Sequence, residues 1–378
     1  MRKSLYIFKI FLTTALLSYN LNCQAAISPP IVPITNKTKS VTFNIDKGTA
    51  SKDLTIWDKE SGGEGSITPT TQDDSNYYSR MSWLCQSKTS EITGACDNTP
   101  QFTYGPSTPI SLQFIEKKTQ IKKTIQLTGR NFIYSRTKPS SVWQPMNAVQ
   151  GGTWLDWMDG KKLSVFIPSS EIKKLPIGGS WEAKLILKQS SWDPTYQVAT
   201  WTANINVNLV DSGNAQIYLP DYNTATPTID LDLRRTRSSL SGNVTVQACL
   251  YDGFNAQSDT YAINMSDPNS KDGKFYINNL NPSKTSNLKT KISYKVFTST
   301  IAAPSVISSE RTSGSSFIFS GVSQMTPRLT SLPNIPNPVY CSPWQFSLRV
   351  LESQPEKLEN GNYSGVLRIK FSPSTSNR

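Results

Sequence analysis

The sequence predicts an all-β protein made of two Ig-like β-sandwich domains in tandem, and three observations carry that expectation. Apolar and polar residues alternate with period two in short runs from about residue 40 to the carboxyl end. The 24 prolines and 20 glycines are spread along the chain, which favours many turns over long helices. The length of 378 residues, at ~150 residues per domain, suits two domains.

The first 25 residues fall outside that scheme. Met1-Arg2-Lys3 precedes a run from Leu5 to Leu17 that is apolar apart from Lys9 and two threonines, and Ala25 and Ala26 are small residues at a cleavage position. This reads as a secretory signal peptide, too short to span a membrane. Cys23 follows Asn20, Leu21 and Asn22, not the small or apolar residues a lipid-attachment site needs. Removing the signal deletes Arg2, Lys3 and Lys9 and no acid, lowering the formal charge from +12 to +9. The expected mature chain is exported and soluble.

In the first half, residues 41–45, 110–114, 121–127, 163–167 and 201–209 alternate as half-buried strands. Asn204, Asn206 and Asn208 interleave with Ile205, Val207 and Leu209, placing amides on one face and branched apolar side chains on the other. One helical turn is expected over residues 169–175, where a serine precedes a short amphipathic run that Pro176 stops. Asp211-Ser212-Gly213-Asn214 has turn chemistry and divides the mature chain into residues 26–211 and 212–378. Strands follow at residues 216–220, 229–233, 244–246, 275–277, 292–296, 346–350 and 366–371. The chain ends seven residues after Phe371, so this last strand has no successor to cover its far edge, an arrangement that invites a strand from another chain.

Four cysteines remain after export: Cys85, Cys96, Cys249 and Cys341. An even number in an oxidising compartment reads as two disulfides with three conceivable pairings, of which local pairing gives each half one bridge. CxxC spacing is absent, so neither a thioredoxin-like site nor a zinc ribbon is supported.

The chain contains no histidine. That excludes Ser-His-Asp and Cys-His nucleophile systems, histidine-ligated zinc or haem, and the HExxH protease helix. Asp156 and Asp159, flanked by Trp154 and Trp157, are the best paired carboxylates, and an exported glycan-degrading enzyme is the alternative function they suggest. Asx turns explain them equally well. Asp230, Asp232 and Asp252 could form a metal cluster, but Asp230 and Asp232 face outward beside Arg234 and Arg235, which favours surface ion pairs. No cofactor or metal is expected. Lys117-Lys118, Lys122-Lys123, Lys161-Lys162 and Lys173-Lys174 make the first half basic. They suit sulfated or sialylated glycans or a solvated face, and with no accompanying binding motif they do not indicate nucleic acid.

The sequence resembles the minor tip adhesins of class 5 fimbriae, the colonization factor antigen I type assembled by the alternate chaperone-usher pathway. In the first half the resemblance rests on Tyr78-Ser79-Arg80-Met81-Ser82-Trp83-Leu84-Cys85 followed by Gly94-Ala95-Cys96, on Leu112-Gln113-Phe114-Ile115-Glu116-Lys117, and on Ile167-Pro168 leading to the stretch from Glu171 to Trp181. In the second half it rests on Ala215-Gln216-Ile217-Tyr218-Leu219-Pro220, Cys249-Leu250-Tyr251-Asp252-Gly253, Asp272-Gly273-Lys274-Phe275-Tyr276 and Pro338-Val339-Tyr340-Cys341. It runs from about residue 75 onward, leaving residues 27–74 without a recognisable counterpart.

The resemblance implies an amino-terminal adhesin domain and a carboxyl-terminal pilin domain, the second an incomplete sandwich completed by a donor strand. It implies a protein at the fimbrial tip that initiates pilus assembly and attaches to a host-cell glycan. Its implied partners are a periplasmic chaperone, an outer-membrane usher and the major fimbrial subunit that donates the strand. The family's receptor pocket is a cluster of arginines. Arg80 occupies the place of one, five residues before the first cysteine, while the strand that carries the others here reads Lys188-Gln189-Ser190-Ser191-Trp192-Asp193. Lys188 and Trp192 therefore join Arg80 as expected receptor-binding residues. A second family disulfide is missing, replaced by a segment containing Trp143, Trp154 and Trp157.

Overall fold

The computed structural model describes residues 32–64, 80–133, 142–149, 160–192, 195–222, 224–285, 287–352 and 354–374. The expected signal peptide and Trp154, Asp156, Trp157, Asp159 and Asp193 lie outside them. In the first half the strands are β1 (Lys37–Asp46), β2 (Leu54–Ser61), β3 (Ser82–Cys85), β4 (Thr108–Glu116), β5 (Lys122–Ile133), β6 (Val142–Pro145), β7 (Lys161–Ile167), β8 (Gly179–Ser191) and β9 (Tyr196–Val210). They form one sheet in the order β1-β9-β8-β4-β5-β7-β2, with β3 added to β8 and β6 to β5.

The period-two pattern works on β9 as residue chemistry demands. Trp201, Ala203, Ile205, Val207 and Leu209 are buried, and Asn204, Asn206 and Asn208 turn outward. Unlike the sheet's antiparallel pairs, β1 runs parallel to β9 with Asn44 opposite Asn208, and the Asn208 amide donates to Asn44 Oδ1 at 2.8 Å. The sheet curls until its end strands meet: Lys37 on β1 pairs with Glu60 on β2 at 2.6 Å. Trp57, Trp83 and Trp201 fill the enclosed core, with Trp201 edge-on to the other two at 5.5 and 5.3 Å. The helix expected over residues 169–175 is shorter, α1 (Ser169–Ile172). Leu175 precedes Pro176 and is disfavoured from helical backbone, and no serine side chain caps the first turn.

The second half contains β10 (Gln216–Tyr218), β11 (Arg234–Arg235), β12 (Leu240–Tyr251), β13 (Thr260–Ser266), β14 (Phe275–Asn279), β15 (Lys291–Ser299), β16 (Ile307–Arg311), β17 (Ser316–Ser320), β18 (Arg328–Thr330), β19 (Val339–Glu352), β20 (Tyr363–Ser364) and β21 (Arg368–Ser374). A large sheet runs β10-β12-β19-β15-β14-β20, with β11, β16 and β18 on its flanks, and a three-stranded sheet runs β17-β13-β21. Between them lies a core of Val246, Tyr261, Ile263, Phe275, Val296, Trp344 and Phe346 among others. The strand expected at residues 229–233 is a correction. Ile229 and Leu231 reach this core and Asp230 and Asp232 face water, yet the segment has no ladder partner among the described residues. Side-chain alternation is satisfied there without the hydrogen bonds that make a strand. Among the described strands β21 pairs only with β13, so its far edge is open, and Ile369 and Phe371 are only partly buried.

The two halves share a joint. The apolar core of the first half continues through Tyr251, Leu332, Ile335 and Val339 of the second. The Asp252 carboxylate accepts the backbone N–H groups of Phe254, Ala256, Gln257 and Ser258 at 2.8–3.1 Å, forming a tight loop. That loop docks on the first half: the Asp211 N–H donates to Gly253 O, the Asn255 amide to Gly178 O, and Lys118 Nζ to Asn255 O and Ala256 O. A Cβ on Gly178 would stand 1.8 Å from Gly253 O, so only glycine permits this approach.

Candidate functional site

Arg80 leads into β3, whose partner is β8, and Trp192 directly follows β8. Their spacing in sequence is large, but the β3–β8 ladder aligns Ser82 with Ser190 and so brings the two ends together. The Arg80 guanidinium carbon lies 5.2 Å from the Trp192 ring centre, within cation–π range. Phe102 meets the same ring edge-on at 4.7 Å and is 62% exposed. Both Arg80 and Trp192 are half-buried, so the cluster presents one guanidinium and two aromatic rings at the surface.

This surface stands on a rigid base. Cys85 is bonded to Cys96, and Gly94 in the intervening loop adopts φ +101°, the conformation glycine tolerates. Ser82, Trp83 and Leu84 are buried. Behind β8, the fully buried Gln189 donates to Gly62 O and accepts from the Trp201 indole at 2.9 Å. A bulge between Gln189 and Ser190 then redirects the strand end that precedes Trp192.

Lys188 is not part of this contact. It lies on β8 opposite Leu84 and Thr200, four residues and ~13 Å of extended chain before Trp192. Phe102, by contrast, belongs to the contact but not to the residues that the sequence motifs single out. Gln101-Phe102-Thr103-Tyr104-Gly105-Pro106 sets two aromatics in a Gly/Pro-bounded stretch without strand alternation, a signal for exposed rings, and Tyr104 is indeed 84% exposed.

Two lysines from the basic doublets depart from the expected solvated or glycan-facing role. Lys118 is one of the joint's donors, and burial pulls its ammonium below the usual lysine range despite the opposing pull of Asp252 and Glu116. Lys161 is fully buried with its ammonium on Ala148 O at 2.6 Å, and burial pulls it down to about 7. Lys162 pairs with Glu64, and Lys174 with the carboxylate of the buried Glu171. Asp230, Asp232 and Asp252 do not converge. Asp232 pairs with Arg234 at 2.7 Å, Asp230 accepts the Asp232 N–H, and Asp252 belongs to the buried joint. The second bridge joins Cys249 to Cys341.

The family model of the first domain of CfaE, a subunit of CFA/I fimbriae, matches residues 22–212, and that of the CfaE second domain matches residues 215–375. The chain belongs to the CfaE family of CFA/I fimbrial subunits. It is a fimbrial adhesin subunit, and its place is the surface fimbria. The CfaE protein of Escherichia coli CFA/I fimbriae is 31% identical over 387 residues, covering 99% of each chain. The crystal structure of CfaE, the adhesive subunit of the CFA/I fimbria of enterotoxigenic Escherichia coli, is 29% identical with a TM-score of 0.69, covering 91% of this chain and 94% of that one. A chain of a chaperone–tip adhesin complex of CFA/I fimbriae is also 29% identical, with a TM-score of 0.62 over 90% of this chain and 97% of that one.

The family match corrects the expectation that residues 27–74 have no counterpart, because it begins at residue 22. Within that stretch β1 and β2 form the two ends of the curled sheet. The family is one of adhesin subunits and not of enzymes, and these relatives give the glycan-degrading alternative no support.

Proposed function

We propose that this adhesin occupies the fimbrial tip and attaches to a host-cell glycan through Arg80 and Trp192, with Phe102 extending the aromatic surface. The observation that carries the reading is the guanidinium of Arg80 held over the Trp192 ring beside an exposed Phe102. A guanidinium fixed in this way offers a planar fork to a carboxylate or sulfate, while the rings offer an apolar face to a pyranose. Lys188, farther along β8, adds charge that attracts an acidic sugar without touching it.

In the same reading residues 1–25 direct export through the periplasm, residues 26–211 are the adhesin domain and residues 212–378 the pilin domain. A periplasmic chaperone and then the major subunit supply the strand that the second domain lacks, and an outer-membrane usher starts the fibre from this adhesin. The lack of a ladder partner for residues 229–233 and for the far edge of β21 among the described residues supports the donor-strand part.

The test is adhesion to host cells measured beside circular dichroism on the same preparations. Arg80→Ala, Arg80→Lys and Trp192→Ala should each weaken attachment about tenfold or more, with melting temperatures within a few degrees of the parent. Unchanged adhesion in all three would overturn the site. A fall in stability of ~3–5 kcal/mol in Arg80→Ala would reassign Arg80 to a buried structural pair.

A further inference from the structure

The second domain has a cavity of about 320 Å³ that the adhesion scheme does not use. It lies where β10, β12, β18 and β19 approach one another beside Pro304 and Ser305. Its volume is at the lower end of the ~300–1,000 Å³ typical of small-molecule sites, a size suited to one compact ring.

Its polar groups are arranged to receive a ligand. Gln247 and Gln345 are directly opposite each other in the β12–β19 ladder, and Arg328 and Thr330, two residues apart on β18, share a face. The side chains of these four residues have no hydrogen-bond or ion-pair partner among the described residues. The Thr330 hydroxyl is buried behind this lining, which leaves Arg328, Gln247 and Gln345 as the polar side chains that a ligand meets. Arg328 is the only charged residue of the lining, so no carboxylate there competes for its guanidinium. Tyr218, Pro220 and Pro343 supply apolar walls. A larger groove of about 660 Å³ in the same domain differs in this respect, because its Arg234 and Lys295 are already paired with Asp232 and Glu310.

We propose that the 320 Å³ cavity is a second saccharide site, selective for a carboxylate-bearing monosaccharide of the sialic or uronic acid class. Arg328 pairs the sugar carboxylate bidentately, Gln247 and Gln345 bond its hydroxyls or N-acetyl group, and Tyr218 with the prolines covers the apolar ring face. The site lies in a different domain from Arg80 and does not depend on that surface. It would give the adhesin two points of attachment to one sialylated or uronate-bearing polymer, which raises avidity without any new contact.

The test uses the full chain carrying Arg80→Ala, so that the first-domain guanidinium cannot contribute. Titration with N-acetylneuraminic acid and with glucuronic acid, followed by ligand-observed NMR, should show saturable binding, with glucose at least about tenfold weaker. Adding Arg328→Ala or Arg328→Lys should weaken the acidic sugars about tenfold. Gln247 is exposed on its strand, so Gln247→Ala provides a variant that folds if a change at Arg328 does not, and it too should weaken binding. No saturable binding by the Arg80→Ala chain would overturn the proposal. So would affinity unchanged by both Arg328→Lys and Gln247→Ala, or equal affinity for glucose and glucuronic acid.

Discussion

The end strands of the first domain's sheet are tied to each other through Lys37–Glu60 and the Val32–Glu64 backbone bonds, whereas in the second domain residues 229–233 and one edge of β21 have no ladder partner among the described residues. Both domains use the same residue grammar of short alternating strands separated by Gly/Pro turns. The difference lies in where the last strands fall. In the first domain β1 returns parallel to β9, and Lys37 ties it to Glu60 on the opposite end strand, so the apolar faces meet across a closed core. In the second, Ile229, Leu231, Ile369 and Phe371 reach the core only partly, and the backbone beside them has no ladder on that side among the described residues. Complete side-chain patterning therefore does not guarantee a complete sheet, because hydrogen-bond partners are counted separately from buried faces.

The strongest way to break this comparison is to supply the missing strand. Fusing an alternating apolar donor segment from the major subunit to the carboxyl end should convert the isolated second domain from an aggregating species into a cooperatively melting monomer. Each apolar side chain completing its burial contributes up to ~1.5–3 kcal/mol. The first domain alone should melt cooperatively without any donor, as followed by thermal denaturation and size-exclusion chromatography. A second domain that is monomeric and well folded unaided would remove the distinction.

The disulfides sharpen the comparison next. Cys249 and Cys341 are 92 residues apart and Cys85 and Cys96 only 11. Chain entropy then gives ~4.6 kcal/mol for the long bridge against ~2.8 kcal/mol for the short one. Urea unfolding of the paired Cys→Ser variants should rank them in that order.

A third test separates the domains by pH. Lys161 has a folded-state value of about 7, below its unfolded value, so the folded chain holds fewer protons between the two. The cost of burying the charge is fully present below pH 7 and is relieved as pH rises toward the unfolded value. First-domain stability should therefore rise by about 2 kcal/mol between roughly pH 7 and 9. Lys161→Met should abolish that rise and stabilise the domain most at about pH 6, as read from urea midpoints across pH.

The smallest effect tests the joint. Asp252→Asn leaves one acceptor oxygen where two now serve four N–H groups. A loss of about 1–3 kcal/mol is expected, accompanied by faster amide exchange in residues 253–258. Unchanged exchange would show that docking on Gly178 alone holds the loop.

What the sequence determined by itself is the all-β class, most strand positions and the character of their faces. The period of two on β9 is a local property, fixed by the alternating geometry of extended backbone and visible in Asn204, Asn206 and Asn208 without any neighbour. Residues 229–233 carry the same pattern, but whether a ladder forms depends on a second backbone, which periodicity does not encode. The site divides along the same line. Arg80 and Trp192 are legible as candidates through a family motif, but their contact follows from the β3–β8 register. Phe102 joins them from a loop, and Lys188, on the same strand as the residues before Trp192, does not. Lys118 and Lys161 look alike in sequence to the exposed lysines beside them. Only tertiary packing buries them, because desolvation is set by everything that surrounds a charge and not by its neighbours along the chain.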